Sequence, residues 1–155
     1  MLINIDKLTM AGSSFGVAED FASISGTSEF PLLLLKNPSG SGRSLLLTHF
    51  NFAVDSSVTR SCFRVYGAPT ITSDGTSVTI RSNLIGGSGS VAQAYKNPTI
   101  SANGGLLSTI LLPTNHLSNG QNRIISVPAG QNFLITVKND ITNVSVFSHL
   151  YWVEL

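Results

Sequence analysis

Short apolar stretches separated by turn residues run along most of this chain, and their spacing has the period of two typical of strands. This pattern predicts β-strands over 29–36, 44–54, 58–66, 91–95, 106–112, 124–127, 133–137 and 144–155. About eight short strands with turns at close intervals are typical of an antiparallel β-sandwich, and most of all of a jelly roll. The sequence therefore predicts an all-β, jelly-roll-like domain over residues 28–155.

Three of the predicted strands are apolar on both faces. Residues 32–35 are consecutive leucines, and 106–112 is nearly as apolar. Two faces alternate along the last run, with Val146, Leu150 and Trp152 on one and Phe147, Tyr151 and Val153 on the other. A strand of this kind lies in the middle of a sheet, or has one face against another subunit.

Two turns in the middle of the chain resemble each other. Asp74-Gly75 favours a tight hairpin turn, here between 69–71 and 78–80. The sequence Ala-Pro-Thr-Ile before it, at 68–71, is echoed 29 residues later by Asn-Pro-Thr-Ile at 97–100, before Asn103-Gly104. The echo predicts two similar hairpins on opposed sheets, and a chance repetition is the alternative.

The first 27 residues differ in character from the rest. Glycine and serine are frequent there, with Phe15 and Phe21 between them, and 17–21 could hold one helical turn. We therefore expect 1–27 to form an extended N-terminal arm, and the alternative is an extra edge strand packed on the domain.

Composition narrows the possible partners. Charged residues make up 11% of the 155 residues and the formal net charge is +1, which gives no electrostatic reason to expect nucleic acid. The longest apolar run, 31–35, is far shorter than the roughly 20 residues that cross a bilayer. No export signal is visible, so a soluble protein made in a cytoplasm is expected. A surface so poor in charge suits a protein whose surface is covered by partners.

Candidate chemistry is sparse, and the sequence predicts no enzyme, no cofactor and no metal. His49, His116 and His149 lack the spacing of a zinc site, although His49 and His149 would lie near each other if their strands pair. Cys62 lies between Arg60 and Arg64 with no histidine beside it, so a small apolar strand residue is favoured over a nucleophile. Four loop positions could together bind a cation, although turn chemistry also explains them: Asn115, Asn119, Asn122 and Asn139-Asp140.

The order of these strand and turn segments resembles that of small jelly-roll structural proteins of tailed bacteriophages. The resemblance covers most of 29–155 and is carried by 37–42 (NPSGSG), the strand 45–54, 64–75 (RVYGAPTITSDG), 125–137 (ISVPAGQNFLITV) and the closing Trp152-Val153-Glu154. It implies a virion protein, made in the host cytoplasm, that decorates and cements the head surface. Its implied partners are the major capsid protein and further copies of the chain, with a trimer favoured over a dimer.

This resemblance gives the apolar N-terminus a role. An arm can add a strand to an exposed sheet edge through backbone hydrogen bonds. The candidate contacts with the shell or between subunits are Leu2, Ile3, Ile5, Leu8, Phe147, Tyr151 and Val153. The alternative function is a receptor-binding or carbohydrate-binding module of a tail or fibre, for which Tyr66, Tyr95 and Trp152 are the candidate stacking residues.

Overall fold

The structure, a computed structural model, describes residues 4, 7, 11–24, 28–54, 60–113 and 124–155. It contains thirteen β-strands: β1 (Ser14–Ile24), β2 (Phe30–Lys36), β3 (Leu45–Val54), β4 (Arg60–Gly67), β5 (Thr70–Ser73), β6 (Thr76–Ser77), β7 (Arg81–Ser82), β8 (Gln93–Lys96), β9 (Thr99–Ala102), β10 (Gly105–Pro113), β11 (Ile125–Val127), β12 (Asn132–Asn139) and β13 (Val144–Glu154). Within these segments no helix is long and apolar enough to span a bilayer.

The strands form two antiparallel sheets in jelly-roll order. The five-stranded sheet has the order β11-β3-β13-β1-β7, and the six-stranded sheet has the order β10-β4-β12-β2-β8-β6. When the segment between β4 and β10 is set aside, the remaining eight strands read 1-8-3-6 in one sheet and 2-7-4-5 in the other. This is two Greek keys wrapped into one sandwich, so the prediction of a jelly-roll-like all-β fold is confirmed.

The first strand of the jelly roll lies inside the segment expected to be an arm. β1 pairs with β13 from Ser14 opposite Val153 to Ile24 opposite Val144, and four of its side chains, Phe15, Val17, Phe21 and Ile24, are buried in the core. The prediction of an arm, and of a helical turn at 17–21, is therefore wrong for 14–24. These apolar residues alternate, and the frequent glycine and serine around them obscured a strand signal.

Aromatic pairs hold the two sheets together. Phe52 on β3 and Phe63 on β4 stack with ring centroids 4.2 Å apart, and Phe50 stacks on Phe133 of β12 at 5.8 Å. All four rings are at most 1% exposed. Burying an aromatic side chain removes a large apolar area from water, so these contacts between sheets are a main source of stability.

Alternation along the strand 44–54 predicts that Leu46, Phe50, Phe52 and Val54 share one face, and a bulge in β3 corrects this prediction for Leu46. Opposite β13 the register passes from His49 directly to Leu47, which leaves Thr48 as the extra residue. Because an extra residue reverses the alternation, Leu47 packs in the core and Leu46 does not join it, contrary to the expected face shared with Phe50. The expected faces of Phe50, Phe52 and Val54 are confirmed.

The 29-residue echo is structural, but it does not form two hairpins. β5 and β9, the strands of the two copies, pair with each other as a separate two-stranded ribbon, and β6 pairs with β8. Gly75 (φ 85°) packs on the backbone of Asn97, and Gly104 (φ 86°) packs on that of Ala68, so each copy's glycine meets the other copy's first residue. A Cβ atom at either glycine would overlap this backbone, which explains the Gly at both turns.

Candidate interaction surfaces

The outer face of the five-stranded sheet carries a cluster of rings, the aromatic face, formed by His49, Phe147, His149 and Tyr151. Alternate residues of β13 point to the same side, which places 147, 149 and 151 in one row. The His149 and Tyr151 ring centroids are 4.0 Å apart, and Phe147 meets His149 edge-on at 6.1 Å. His49, opposite Tyr151 on β3, lies 6.1 Å from its ring.

Small neighbours leave these rings accessible. Gly16 of β1 lies opposite Tyr151, and a Cβ atom there would come within 3.0 Å of the Tyr151 ring. The ring therefore lies over the β1 backbone in a space that only glycine leaves open. Ala18 and Asp20 follow on the same face of β1 and are exposed. Apart from the two histidines, Asp20 is the only acidic or basic side chain on this face in the described parts of β1, β3 and β13.

Burial affects the charge state of the aromatic face. The pKa of His149 is lowered, first because the imidazole is partly buried and second because His49 adds a like charge nearby. Lowering favours the neutral ring, so this face carries little charge at neutral pH. An aromatic face with few charged side chains has the composition of the centre of a protein–protein interface.

A polar cluster around Glu29 crosses the outer face of the other sheet. The Glu29 carboxylate accepts hydrogen bonds from Tyr66 Oη (2.8 Å) and Thr136 Oγ1 (2.5 Å) and pairs with Arg64 Nη1 at 2.6 Å. Burial alone would raise the pKa of Glu29, but these partners outweigh it and lower the pKa. Burial and the hydrogen bond to Glu29 raise the pKa of Tyr66. The cluster ties β4 and β12 to the start of β2, which is a structural role.

Beside this cluster lies a cleft with several basic groups. It is lined by Arg60, Cys62, Arg64, Leu111, Lys138, Asn139 and Asp140. Cys62 is a half-buried free thiol, and neither of the described histidines, His49 and His149, lines the cleft to act as its base. Among the described residues no group of three His, Cys, Asp or Glu side chains is placed to hold a metal ion.

The predicted site residues have different outcomes. Phe147 and Tyr151 lie half-buried on the aromatic face, where a partner can reach them. Val153 is 0% exposed within the chain, so the expectation that it contacts a partner is wrong. The prediction for Leu2, Ile3, Ile5 and Leu8 lies outside the described residues.

The structure also describes some of the histidine, asparagine and tryptophan candidates. The strands of His49 and His149 pair, as the sequence allowed, whereas His116, Asn115, Asn119 and Asn122 lie outside the described residues. Asn139 is 3% exposed and accepts a hydrogen bond from Ser61, so it does not contribute to a loop cation site. Trp152 is fully buried against Phe15 and cannot stack on a sugar.

The edge strand β10 is the second exposed apolar surface. Leu106, Leu107 and Leu111 are 57%, 44% and 62% exposed, and Ile124 near the adjoining edge strand β11 is 72% exposed. The sequence indicated apolar faces at both 32–35 and 106–112. All four leucines of 32–35 are at most 1% exposed, which confirms a mid-sheet strand buried on both faces and leaves no face there for a second subunit, whereas the leucines at 106, 107 and 111 are exposed. The edge position itself was missed, because strand order cannot be read from a single strand's pattern.

Comparison with known proteins gives only distant structural likenesses. No family model matches the chain, and no curated protein sequence does. A Bacillus endospore appendage, described as a disulfide-linked pilus, is similar over 92% of this chain and 87% of its own, with 9% identity and a TM-score of 0.42. PirA is similar over 88% of this chain and 93% of its own, with 8% identity and a TM-score of 0.32.

A virion protein is also among these structures. A chain of deformed wing virus, a honeybee pathogen, is similar over 94% of this chain but only 47% of its own length, with 10% identity and a TM-score of 0.34. All three TM-scores are below 0.5, so these likenesses carry no argument about function. The assignment of a jelly roll depends on the strand order of this chain itself, and the resemblance to tailed-phage proteins stays a prediction.

Proposed function

We propose that this chain is a non-enzymatic structural protein of a tailed-phage virion that binds the head shell and stabilises it. The aromatic face is the observation that carries this proposal. Its rings lie on the outer face of a sheet with small neighbours, and an open sheet face fits a large partner better than it encloses a small substrate. Aromatic enrichment and few charges are what the core of a protein interface requires.

The proposed partner is the major capsid protein, and the proposed location is the outer surface of the head. A shell presents the same surface many times, so copies that are linked to one another bind with greater avidity than single copies. Residues 1–10 would add a second contact, as the sequence resemblance implies.

Counting copies per particle tests the location. We expect quantitative mass spectrometry of purified virions to find hundreds of copies, comparable in number to the shell subunit. A handful of copies would contradict decoration of the head and would point to a tail component. Absence from the particle would contradict any virion role.

Binding to particles that lack this protein tests the surface. Ala18→Arg places a charged side chain on the aromatic face at an exposed position, and Thr99→Arg places one on the separate ribbon, which serves as a matched control. We expect Ala18→Arg to abolish co-sedimentation with the particles while Thr99→Arg binds normally. Equal binding by both variants would overturn the assignment of this face. Deleting residues 1–10 tests the second contact, and binding that survives the deletion would remove it.

The adjacent rings of His149 and Tyr151 favour one alternative, a carbohydrate-binding module of a tail or fibre. Two adjacent rings 4.0 Å apart expose ring surface on which a sugar could stack. A glycan array distinguishes this function. Binding to a defined glycan that Tyr151→Ala abolishes would favour the module over the shell protein.

A further inference from the structure

The outer edge of β10 has features that natural proteins usually avoid at a sheet edge. It is nine residues long, and among the described strands only β4 pairs with it. Exposed edges are commonly protected by charged residues or by very short strands. Here the chain has no Asp, Glu, Lys or Arg from 97 to 122, so nothing charged on the strand repels a second strand.

The order of side chains along β10 is nearly the same in both directions. Read outwards from Thr109, the strand has Ser108 and Ile110, and then leucines at 106–107 and 111–112. A strand with this order can pair antiparallel with its own copy about a two-fold axis through Thr109. Such an interface is self-complementary, with each residue meeting the same partner twice.

Because of a bulge in β10, paired residues of the two β10 copies would point to the same side of the joined sheet. Opposite β4 the register passes from Leu106 to Ser108, so Leu107 is the extra residue. In the two-fold arrangement Ser108 then faces the partner's Ile110, both on the core side, and the pair Leu106–Leu107 together faces the partner's Leu111. The three exposed leucines of each copy would therefore be covered by those of the other, because a bulge sets two residues against one.

Charge is compatible with the same arrangement. Arg64 lies opposite Thr109 in the sheet and is already neutralised by Glu29 at 2.6 Å. Arg60 lies opposite Pro113 at the far end of the strand, so the two copies of Arg60 are separated by the length of the strand pair. Among the described charged residues of β4 and β10, this pairing brings no like charges together and buries no charge without a partner.

We propose that β10 pairs with β10 of a second copy of this chain, which joins two six-stranded sheets into one continuous sheet across a dimer. This inference goes beyond the proposed function and does not depend on a virion. It also replaces the trimer expected from the sequence with a two-fold dimer as the building unit.

Site-specific cross-linking of the full chain tests the two-fold axis. In a Cys62→Ser background, Thr109→Cys places the new thiol opposite its own copy, at the about 4.5–5.5 Å between Cα atoms of directly paired residues. That spacing lies within the range that a disulfide bridges. Leu111→Cys is the matched control, because it is exposed on the same strand while its two copies would lie about 14 Å apart.

We expect Thr109→Cys to form a disulfide-linked dimer under mild oxidation and Leu111→Cys to stay unlinked. Sedimentation velocity should show a dimer for the unaltered chain and a monomer for Leu111→Lys, with unchanged circular dichroism showing that this variant folds. An unaltered chain that sediments as a monomer, or a dimer in which both cysteine variants cross-link equally, would overturn the proposal.

A strand from the shell protein could occupy the edge instead. In that case the unaltered free chain would be monomeric while Leu111→Lys loses binding to particles, and this result would also overturn pairing with a second copy. Copy number in virions does not depend on β10 pairing, so failure of this proposal and failure of the proposed function are distinguishable.

Discussion

The sandwich has two ends where its sheets reach their edge strands, and these two ends differ. At one end the segment 68–104 adds short strands: β8 pairs with β2, β6 with β8, and β7 with β1. At the other end β10 and β11 are the last strands of their sheets. The first end is protected and the second is left available, which indicates that the two ends serve different purposes.

Polar contacts reinforce the protected end. Lys96 of β8 reaches across to Glu19 of β1 at 2.9 Å, and so joins the edges of the two sheets. Glu154, 3% exposed at the end of β13, accepts hydrogen bonds from Ser90 Oγ (2.5 Å) and from the Val91 N–H (3.0 Å). At the available end the exposed leucines lie on the edge strand β10 itself and Ile124 lies beside β11, whereas at the protected end the exposed Leu84 and Ile85 lie in the loop after β7. The same jelly roll thus combines an edge covered by short strands with an edge strand that is long and apolar.

The largest loss of stability is expected from a substitution in the core between the two sheets, which both ends share. Phe63→Ala removes one ring of the Phe52–Phe63 stack and leaves a cavity, so we expect a loss of about 3–5 kcal/mol in the free energy of unfolding. Urea denaturation measures it. Leu111→Ala, on the exposed edge, is the control and should cost far less in the monomer; an equal loss would mean that β10 is not an exposed edge.

The next effect concerns the protected end. Glu154→Ala leaves the Val91 N–H without its acceptor, and we expect a loss of about 2 kcal/mol, because hydrogen bonds to charged groups are worth about 1.5–3 kcal/mol. Hydrogen exchange should accelerate at residues 90–96 and stay unchanged on β10. Glu154→Gln retains an acceptor oxygen and should lose less. Slow exchange at 90–96 in the Ala variant would show that this carboxylate does not hold the segment.

A smaller effect is expected from the ion pair that joins the sheet edges. Lys96→Met keeps the aliphatic stem but removes the charge, and we expect a loss of at most about 1 kcal/mol, because both groups are partly exposed. Added salt should reduce the difference between the unaltered chain and the variant. A salt-independent loss would indicate that packing, and not charge, connects β8 to β1.

The smallest effect is a dependence on pH at the aromatic face. The pKa of His149 is lowered in the folded chain, so the unfolded chain takes up a proton at higher pH than the folded chain does. Stability from this residue is therefore fully present above the unfolded value of about 6.5 and is lost as pH falls towards the folded pKa. Thermal unfolding between pH 7.5 and 5.5 should show a fall that His149→Gln reduces. Parallel curves for the two chains would contradict the lowered pKa.

The sequence predicted the parts of the fold that depend on alternation within a strand. Phe50 and Phe52 point inward, and 32–35 is buried on both faces, because a strand's own pattern records its two environments. Phe147 and Tyr151 were placed on an outer face for the same reason. What failed depends on pairing between distant segments, which a local pattern does not contain.

Three errors show this limit. β1 was assigned to an arm, because Gly16 and the serines near it hide its alternation, and Gly16 is explained only by the Tyr151 ring packed above it. Asp74-Gly75 makes a turn, but its flanking strands pair with β8 and β9, because the echoed segment supplies a competing partner. Val153 has the apolar character of a contact residue, but the chain itself buries it.

Hydrogen exchange measured at high and low protein concentration tests the contrast between the two ends most directly. We expect the β10 amides that point away from β4 to be protected at high concentration and to lose this protection on dilution. The amides of β8 should exchange at the same rate in both conditions, because their edge is already closed within the chain. Fast exchange of the outward β10 amides at every concentration, or a concentration dependence confined to β8, would contradict an open edge that pairs with its own copy.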